Sequence, residues 1–286
     1  MIAFAGIVVL TLGLTGCSTE TQAGRWGMPE IVTEQGQSIL GLWQGAWIAA
    51  IAVGIVTWAL ILWSVFWFRR RSDDEVPVQT RYNLPIEIFY TVFPIVMVVV
   101  FFSKTVEVQN IALEHVEDPD VNVTVVGQKW SWTFNYPETG PEGENLFVSG
   151  FQPSEQDDQL SDTDLPTLVI PVDQTTEFDL YSPDVIHSFG IPAFAMKMDV
   201  VPGNDNSFQV TPTETGRYEG KCYELCGAYH SRMLFHVEVV SEQEYEAHLA
   251  ELAANPDNVS EEPVTGGRYA DEAYLDGQNE TEGEQE

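Results

Sequence analysis

The sequence predicts a two-helix transmembrane hairpin followed by an all-β sandwich. Three observations carry that prediction. Residues 39–68 form an uncharged, largely apolar run, longer than the roughly 20 residues that span a bilayer core. A second apolar run covers residues 86–102. After about residue 120 the pattern changes to short stretches in which apolar and polar residues alternate with period two, separated by turn residues.

The chain opens with apolar and small residues over 1–16, closing on Cys17. This resembles the lipobox of bacterial lipoproteins, which implies a cleaved signal peptide at 1–16 and lipid on Cys17. Residues 17–38 are then an extracytoplasmic segment. The hairpin takes residues 39–107. Trp43, Trp47, Trp63 and Trp67 lie towards the two ends of the first span, where interfacial aromatics are expected. Arg69, Arg70 and Arg71 follow at once, so that end faces the cytoplasm. The second span holds Glu87 near its start and Pro94 in its middle; proline is tolerated in membrane helices. Glu87 reads either as a functional intramembrane carboxylate or as a group reaching the headgroups. With two spans the chain is a multi-pass cell-membrane protein whose C-terminal part is extracytoplasmic, the side that a lipid on Cys17 also requires.

The β-domain is expected at 108–245. Val121, Val123 and Val125 alternate with polar residues, as do Trp130, Trp132, Phe134 and Tyr136. The alternation puts Trp130 and Trp132 on one face of a strand. Further strands are expected at 168–172, 178–181, 207–211, 216–219 and 233–240. Residues 138–165 read as an acidic loop between strands. A short helix is expected at 242–254 and an acidic, disordered tail from about 255, so that 246–286 holds the rest of the helix and the tail. His115, His236 and His248 read as solvated.

The chain carries 12 Lys and Arg against 44 Asp and Glu, a net charge of −32. That excludes nucleic acid as a partner, because phosphate binding needs a basic surface. It suits a basic protein partner, or simply keeps the protein soluble. Of the three cysteines, Cys17 belongs to the processing signal, leaving the close pair Cys222 and Cys226 and no disulfide framework.

That pair sits in the densest cluster of the sequence: Cys222, Glu224, Cys226, His230 and Met233. Two thiols, an imidazole and a thioether so close together suit copper. A mononuclear copper site would use one Cys, two His and a Met, with His187 as the best second imidazole, and would leave Cys222 without a role. Two copper ions bridged by both thiolates would use every group. A Cys222–Cys226 disulfide and a Cys₂His₂ zinc site are the competing readings. The methionine counts against zinc, which has little use for a thioether.

The run from Cys222 to Met233 resembles the C-x-E-x-C-G-x-x-H-x-x-M signature of subunit II of haem-copper cytochrome c oxidases. Asp184, Val185, His187 and Ser188 resemble that family's upstream D-V-x-H-S segment. The likeness extends over roughly residues 35–245. It implies a Greek-key, cupredoxin-like sandwich and a binuclear copper centre, CuA. The implied ligands are His187, Cys222, Cys226, His230, Met233 and the backbone carbonyl of Glu224. It further implies Mg or Mn at the Glu224 side chain, electron entry at Trp130, and a proton-pathway entrance at Glu87. The implied partners are the catalytic haem-copper subunit I, other oxidase subunits, cytochrome c or a cytochrome c domain as donor, and membrane lipid. The implied activity is that of an aa3-type oxidase, with oxygen reduction coupled to proton pumping. Phe189 and Asn204 depart from the family's usual Trp and Arg, and the acidic loop and tail are longer than usual. A membrane-tethered copper-delivery protein is the alternative; the complete ligand set disfavours it. The same set disfavours a quinol oxidase subunit, and the hairpin and short chain disfavour a nitrous oxide reductase domain.

Overall fold

The computed structural model describes residues 22–150 and 165–266. The signal segment with Cys17, residues 151–164 of the acidic loop, and residues 267–286 of the tail lie outside the described residues. The chain divides into two compact units. One takes the residues up to Met28 together with Ser38–Ile111; the other takes Pro29–Gln37 and the chain from Ala112 onward.

The first unit is built on α1 (Glu34–Trp67) and α2 (Leu84–Ala112). At 1.5 Å per residue these span roughly 51 and 44 Å, against a bilayer core of about 30 Å. Their apolar side chains, Trp58, Phe66 and Phe93 among them, point outward. A helix that is apolar all round needs apolar surroundings. Both helices outrun the apolar stretches that announce them. Thr33 precedes α1, and its Oγ1 accepts the Gly36 N–H at 3.1 Å, the role of a helix N-cap. Beyond residue 102, α2 continues as a polar helix carrying the Lys104–Glu107 ion pair at 2.7 Å. A hydropathy signal ends with the membrane, whereas helical hydrogen bonding does not.

The second unit is a β-sandwich. Its strands are β1 (Val121–Gln128), β2 (Ser131–Tyr136), β3 (Asn145–Ser149), β4 (Thr167–Pro171), β5 (Thr176–Tyr181), β6 (His187–Ile191), β7 (Met196–Val200), β8 (Asn206–Val210), β9 (Gly216–Cys222), β10 (Leu234–Val240) and β11 (Val259–Ser260). One sheet runs β11-β3-β2-β1-β5-β8 and the other β4-β10-β9-β6-β7. The pairs β1/β5 and β4/β10 are parallel. Between the sheets lie Trp132, Phe134, Phe178, Phe189, Phe208 and Phe235, all fully buried. Phe189 stacks on Phe235 at 5.0 Å, and Trp132 meets both rings edge-on at 5.5 Å. Each such ring stabilises the fold by about 1.5–3 kcal/mol through burial alone. Tyr136 enters this core with its hydroxyl satisfied: it donates to the Val169 carbonyl at 3.1 Å and accepts the Val169 N–H at 2.9 Å. Phe235 faces Gly220 across β9 and β10, and a Cβ at Gly220 would overlap the ring. The glycine is therefore what admits the aromatic.

Pro29–Gln37 completes this unit. Val32 is buried; its N–H donates to the Ala193 carbonyl at 2.9 Å and its carbonyl accepts the Thr213 N–H at 2.8 Å. At the other end, α3 (Glu242–Ala254) starts on a capping box between Ser241 and Glu244 and packs through Tyr245 and Leu252.

Several expectations need correction. The acidic loop contains a strand, β3. Residues 255–266, expected in the tail, lie along the sandwich: β11 pairs with β3, and the Asn135 amide accepts the Val264 N–H at 2.7 Å and donates to its carbonyl at 3.2 Å. Trp130 and Trp132 do not share a strand face. Trp130 belongs to the turn between β1 and β2, and Trp132 alone enters the core. His236 is buried rather than solvated, beside the Pro166 carbonyl that accepts its backbone N–H at 3.0 Å. His248 is half-buried, and only His115 keeps an exposed ring.

Candidate metal centre

Sheet pairing assembles the site. His187 opens β6 and Cys222 closes β9, and Cys222 pairs with Phe189, two residues along β6 from His187. The Cys222 N–H donates to the Met233 carbonyl at 3.0 Å, and the Tyr223 N–H donates to the Ser188 carbonyl at 2.9 Å. The chain then loops through Glu224, Cys226 and Gly227 into a 3-10 turn, His230–Arg232, and returns through Met233 to β10. Gly227 adopts a φ of +128°, which a residue with a Cβ rarely tolerates.

The two sulfurs are free thiols with Sγ atoms 3.9 Å apart. Cys222 Sγ lies 3.9 Å from His187 Nδ1 and 3.2 Å from the Glu224 carbonyl oxygen. Cys226 Sγ lies 3.6 Å from His230 Nδ1 and 3.8 Å from Met233 Sδ. Each thiol therefore has one imidazole nitrogen and one further donor beside it. The ligand atoms of His187, Cys222 and Cys226 fall within 4.8 Å of one another. His187, Cys222, Cys226 and Met233 are buried, while His230 is half-buried. A soft, dry set of two sulfurs, two imidazoles and a thioether fits copper in preference to hard cations.

The protonation pattern follows from this packing. Burial pushes the Cys222 thiol up, but hydrogen bonding with His187 and to the Ser188 and Glu224 backbone outweighs it, and Cys222 ends below its ordinary value. Burial, followed by the charge of Cys222, pushes Cys226 up to about 12. Two neighbouring thiolates repel, and a cation between them removes that penalty.

Asp184 supports the site, a role the sequence did not reveal. One carboxylate oxygen accepts from His187 Nε2 at 2.9 Å and from the Val185 N–H at 2.6 Å. The other accepts the Lys129 N–H at 2.8 Å. Burial would raise this carboxyl, but these bonds hold it below its ordinary value. With Nε2 protonated and turned to Asp184, the Nδ1 lone pair faces the sulfurs. An aspartate three residues before a candidate ligand histidine was the signal available.

Trp130 is half-buried, and its Nε1–H donates to the Cys226 carbonyl at 3.2 Å. Trp132 Nε1–H donates to the Met233 carbonyl at 3.3 Å, with its ring 6.2 Å from that of His187. Two indoles thus brace two residues of the cluster. The Glu224 side chain is exposed. Glu87 belongs to the other unit, in the first turn of α2, where its carboxylate accepts the Asn83 N–H at 2.8 Å.

The family model described as cytochrome c oxidase subunit II, periplasmic domain, matches residues 121–240. The probable cytochrome c oxidase subunit 2 of Streptomyces coelicolor is 45% identical over 274 residues, covering 87% of this chain and 85% of that one. Cytochrome c oxidase subunit 2 of Mycobacterium tuberculosis is 33% identical over 284 residues, covering 84% and 78%. Among solved structures, the periplasmic domain of subunit II of cytochrome oxidase of Bradyrhizobium japonicum is similar at 27% identity with a TM-score of 0.42, over 49% of this chain and 98% of that one. With relatives this similar over most of both chains, the protein belongs to the cytochrome c oxidase subunit 2 family and is a subunit of an oxidoreductase complex.

Proposed function

We propose that this chain is the electron-entry subunit of an aa3-type cytochrome c oxidase, and that its metal centre holds two copper ions. The observation that carries the proposal is the pairing in the cluster: two thiols 3.9 Å apart, each with its own imidazole Nδ1 within 4 Å. Cys222, Cys226, His187, His230, Met233 and the Glu224 carbonyl would hold the copper, the two thiolates and two imidazoles as the strong donors and the thioether and carbonyl as the weak ones. Copper held there would supply one-electron redox chemistry, and the buried, closely packed ligands would change little as the charge changes.

The protein's own residues do the rest. The interior formed by Trp132, Phe189 and Phe235 keeps water from the buried ligands. Asp184 fixes the His187 tautomer. Trp130 receives the electron from cytochrome c, or from a cytochrome c domain, and its bond to the Cys226 carbonyl leads to the metal loop. The electron passes on to haem in subunit I, where oxygen is reduced to water and protons are pumped. The exposed Glu224 carboxylate would bind Mg or Mn at the interface with the catalytic subunit. Glu87 serves as the entrance of a proton pathway. In this reading α1 and α2 cross the membrane with the β-unit outside the cytoplasm, and Cys17 carries lipid.

The test is metal content and electron paramagnetic resonance on the purified oxidase. Two copper ions in this chain, with hyperfine structure from one electron shared over two nuclei, is the expected result. One copper with a mononuclear spectrum would overturn the proposal and favour a copper-delivery role.

A further inference from the structure

The hydrogen bond from Trp130 to the metal loop fixes one atom of the indole, and the half-buried ring also packs against the core. A further contact sets the angle of the ring. The ring of Tyr229 meets Trp130 edge-on, with centroids 4.9 Å apart and planes at 83°, the favoured geometry for an aromatic pair. Tyr229 is itself braced. The Arg232 guanidinium carbon lies 5.4 Å from the Tyr229 ring centroid, within cation–π range, and the Arg232 N–H donates to the Tyr229 carbonyl at 2.8 Å. Gly227 makes the approach possible, because a Cβ there would come within 2.9 Å of Trp130 Nε1. Tyr229 lies immediately before the candidate ligand His230, so one short loop carries both metal donors and the wall against which Trp130 rests.

We infer that Tyr229 is a positioning residue for electron entry: it holds the Trp130 indole in the pose that keeps Nε1 on the Cys226 carbonyl, and Arg232 holds Tyr229. The inference rests on the reading of Trp130 as the entry point. Electron-transfer rates fall steeply as the gap to the acceptor widens, so a swinging indole would slow entry without altering the metal.

The experiment uses the intact oxidase carrying Tyr229→Ala, Tyr229→Phe or Trp130→Phe. It reads the rate at which a photoreduced, basic, soluble c-type cytochrome reduces the metal centre. It also reads the centre's resonance spectrum and reduction potential. Tyr229→Ala is expected to slow entry about 2- to 10-fold, the range an edge-to-face pair commands, with spectrum and potential unchanged. Tyr229→Phe, which keeps the ring, should restore most of that loss. If Trp130→Phe slows entry but Tyr229→Ala does not, the inference fails while the entry reading stands. If Trp130→Phe is as fast as the parent, the entry reading itself fails. If Tyr229→Ala changes the spectrum or the potential, the residue acts on the metal ligands and the inference is overturned.

Discussion

Asp184 joins the Trp130-bearing turn to a candidate copper ligand through one carboxylate. Its two oxygens face only donors: the Lys129 N–H on one side, and the His187 Nε2–H and Val185 N–H on the other. An amide cannot meet this demand, because its NH₂ must confront either Lys129 or His187. Asp184→Asn should therefore loosen the His187 ring and lower copper affinity about tenfold, the lower end of what loss of a ligand's orienting partner costs. Competition titration against a copper chelator measures it, and an unchanged affinity would show that His187 needs no such support. The candidate ligands were legible in the sequence because their chemistry is local: sulfur and imidazole at close spacing name the metal class. Asp184 and Tyr229 were not given these roles, because an aspartate and a tyrosine have many uses and only the folded contacts select one.

At the scale of elements, legibility followed period. β1, β2, β5 and β10 alternate, and they were expected close to where they lie. β6 was missed because His187–Ile191 offers only two large apolar residues, Phe189 and Ile191, too few for a period to be read. β7 is the exception: Met196, Met198 and Val200 alternate with the exposed Lys197 and Asp199, a period-two pattern that the sequence carries although no strand was expected there. β3 and β11 lie in segments whose acidic composition reads as loop and tail. Their order comes from partners, β2 for β3 and β3 for β11, that no local pattern records. The helix α3 was legible, but the burial of His248 was not. Burial, with Glu251 and Glu238 opposing, holds His248 below the ordinary imidazole range, and its ring packs against Tyr136 at 6.0 Å. A histidine depressed by folding favours the folded state while neutral. That contribution is fully present above the unfolded value of about 6.5 and is lost as pH falls through the lower folded value. Thermal melts of the full chain should therefore drop between pH 7 and 5 by more than those of His248→Phe, which keeps a ring against Tyr136. Parallel pH profiles for the two proteins would show that α3 docking is indifferent to this proton.

Across the whole molecule the dominant physical fact is the net charge of −32. It has no direct bearing on the fold, since a sandwich of aromatic rings forms without it. Its effects are on solubility and encounter. The two are separable, because solubility needs only charge whereas steering needs charge of the sign opposite to the partner's. A basic cytochrome donor would be drawn in from beyond contact distance, raising the association rate by about 10- to 1,000-fold over a neutral encounter. Salt shortens that reach to about 10 Å at 0.1 M and about 3 Å at 1 M. Reduction of the metal centre by a basic donor should accordingly slow at least about tenfold between low and high salt, while reduction by a small neutral reductant should hardly change. A donor rate that is flat in salt would assign the acidity to solubility alone. Docking would then depend on short-range contacts around Trp130, where a screened charge has little effect and a displaced ring has much.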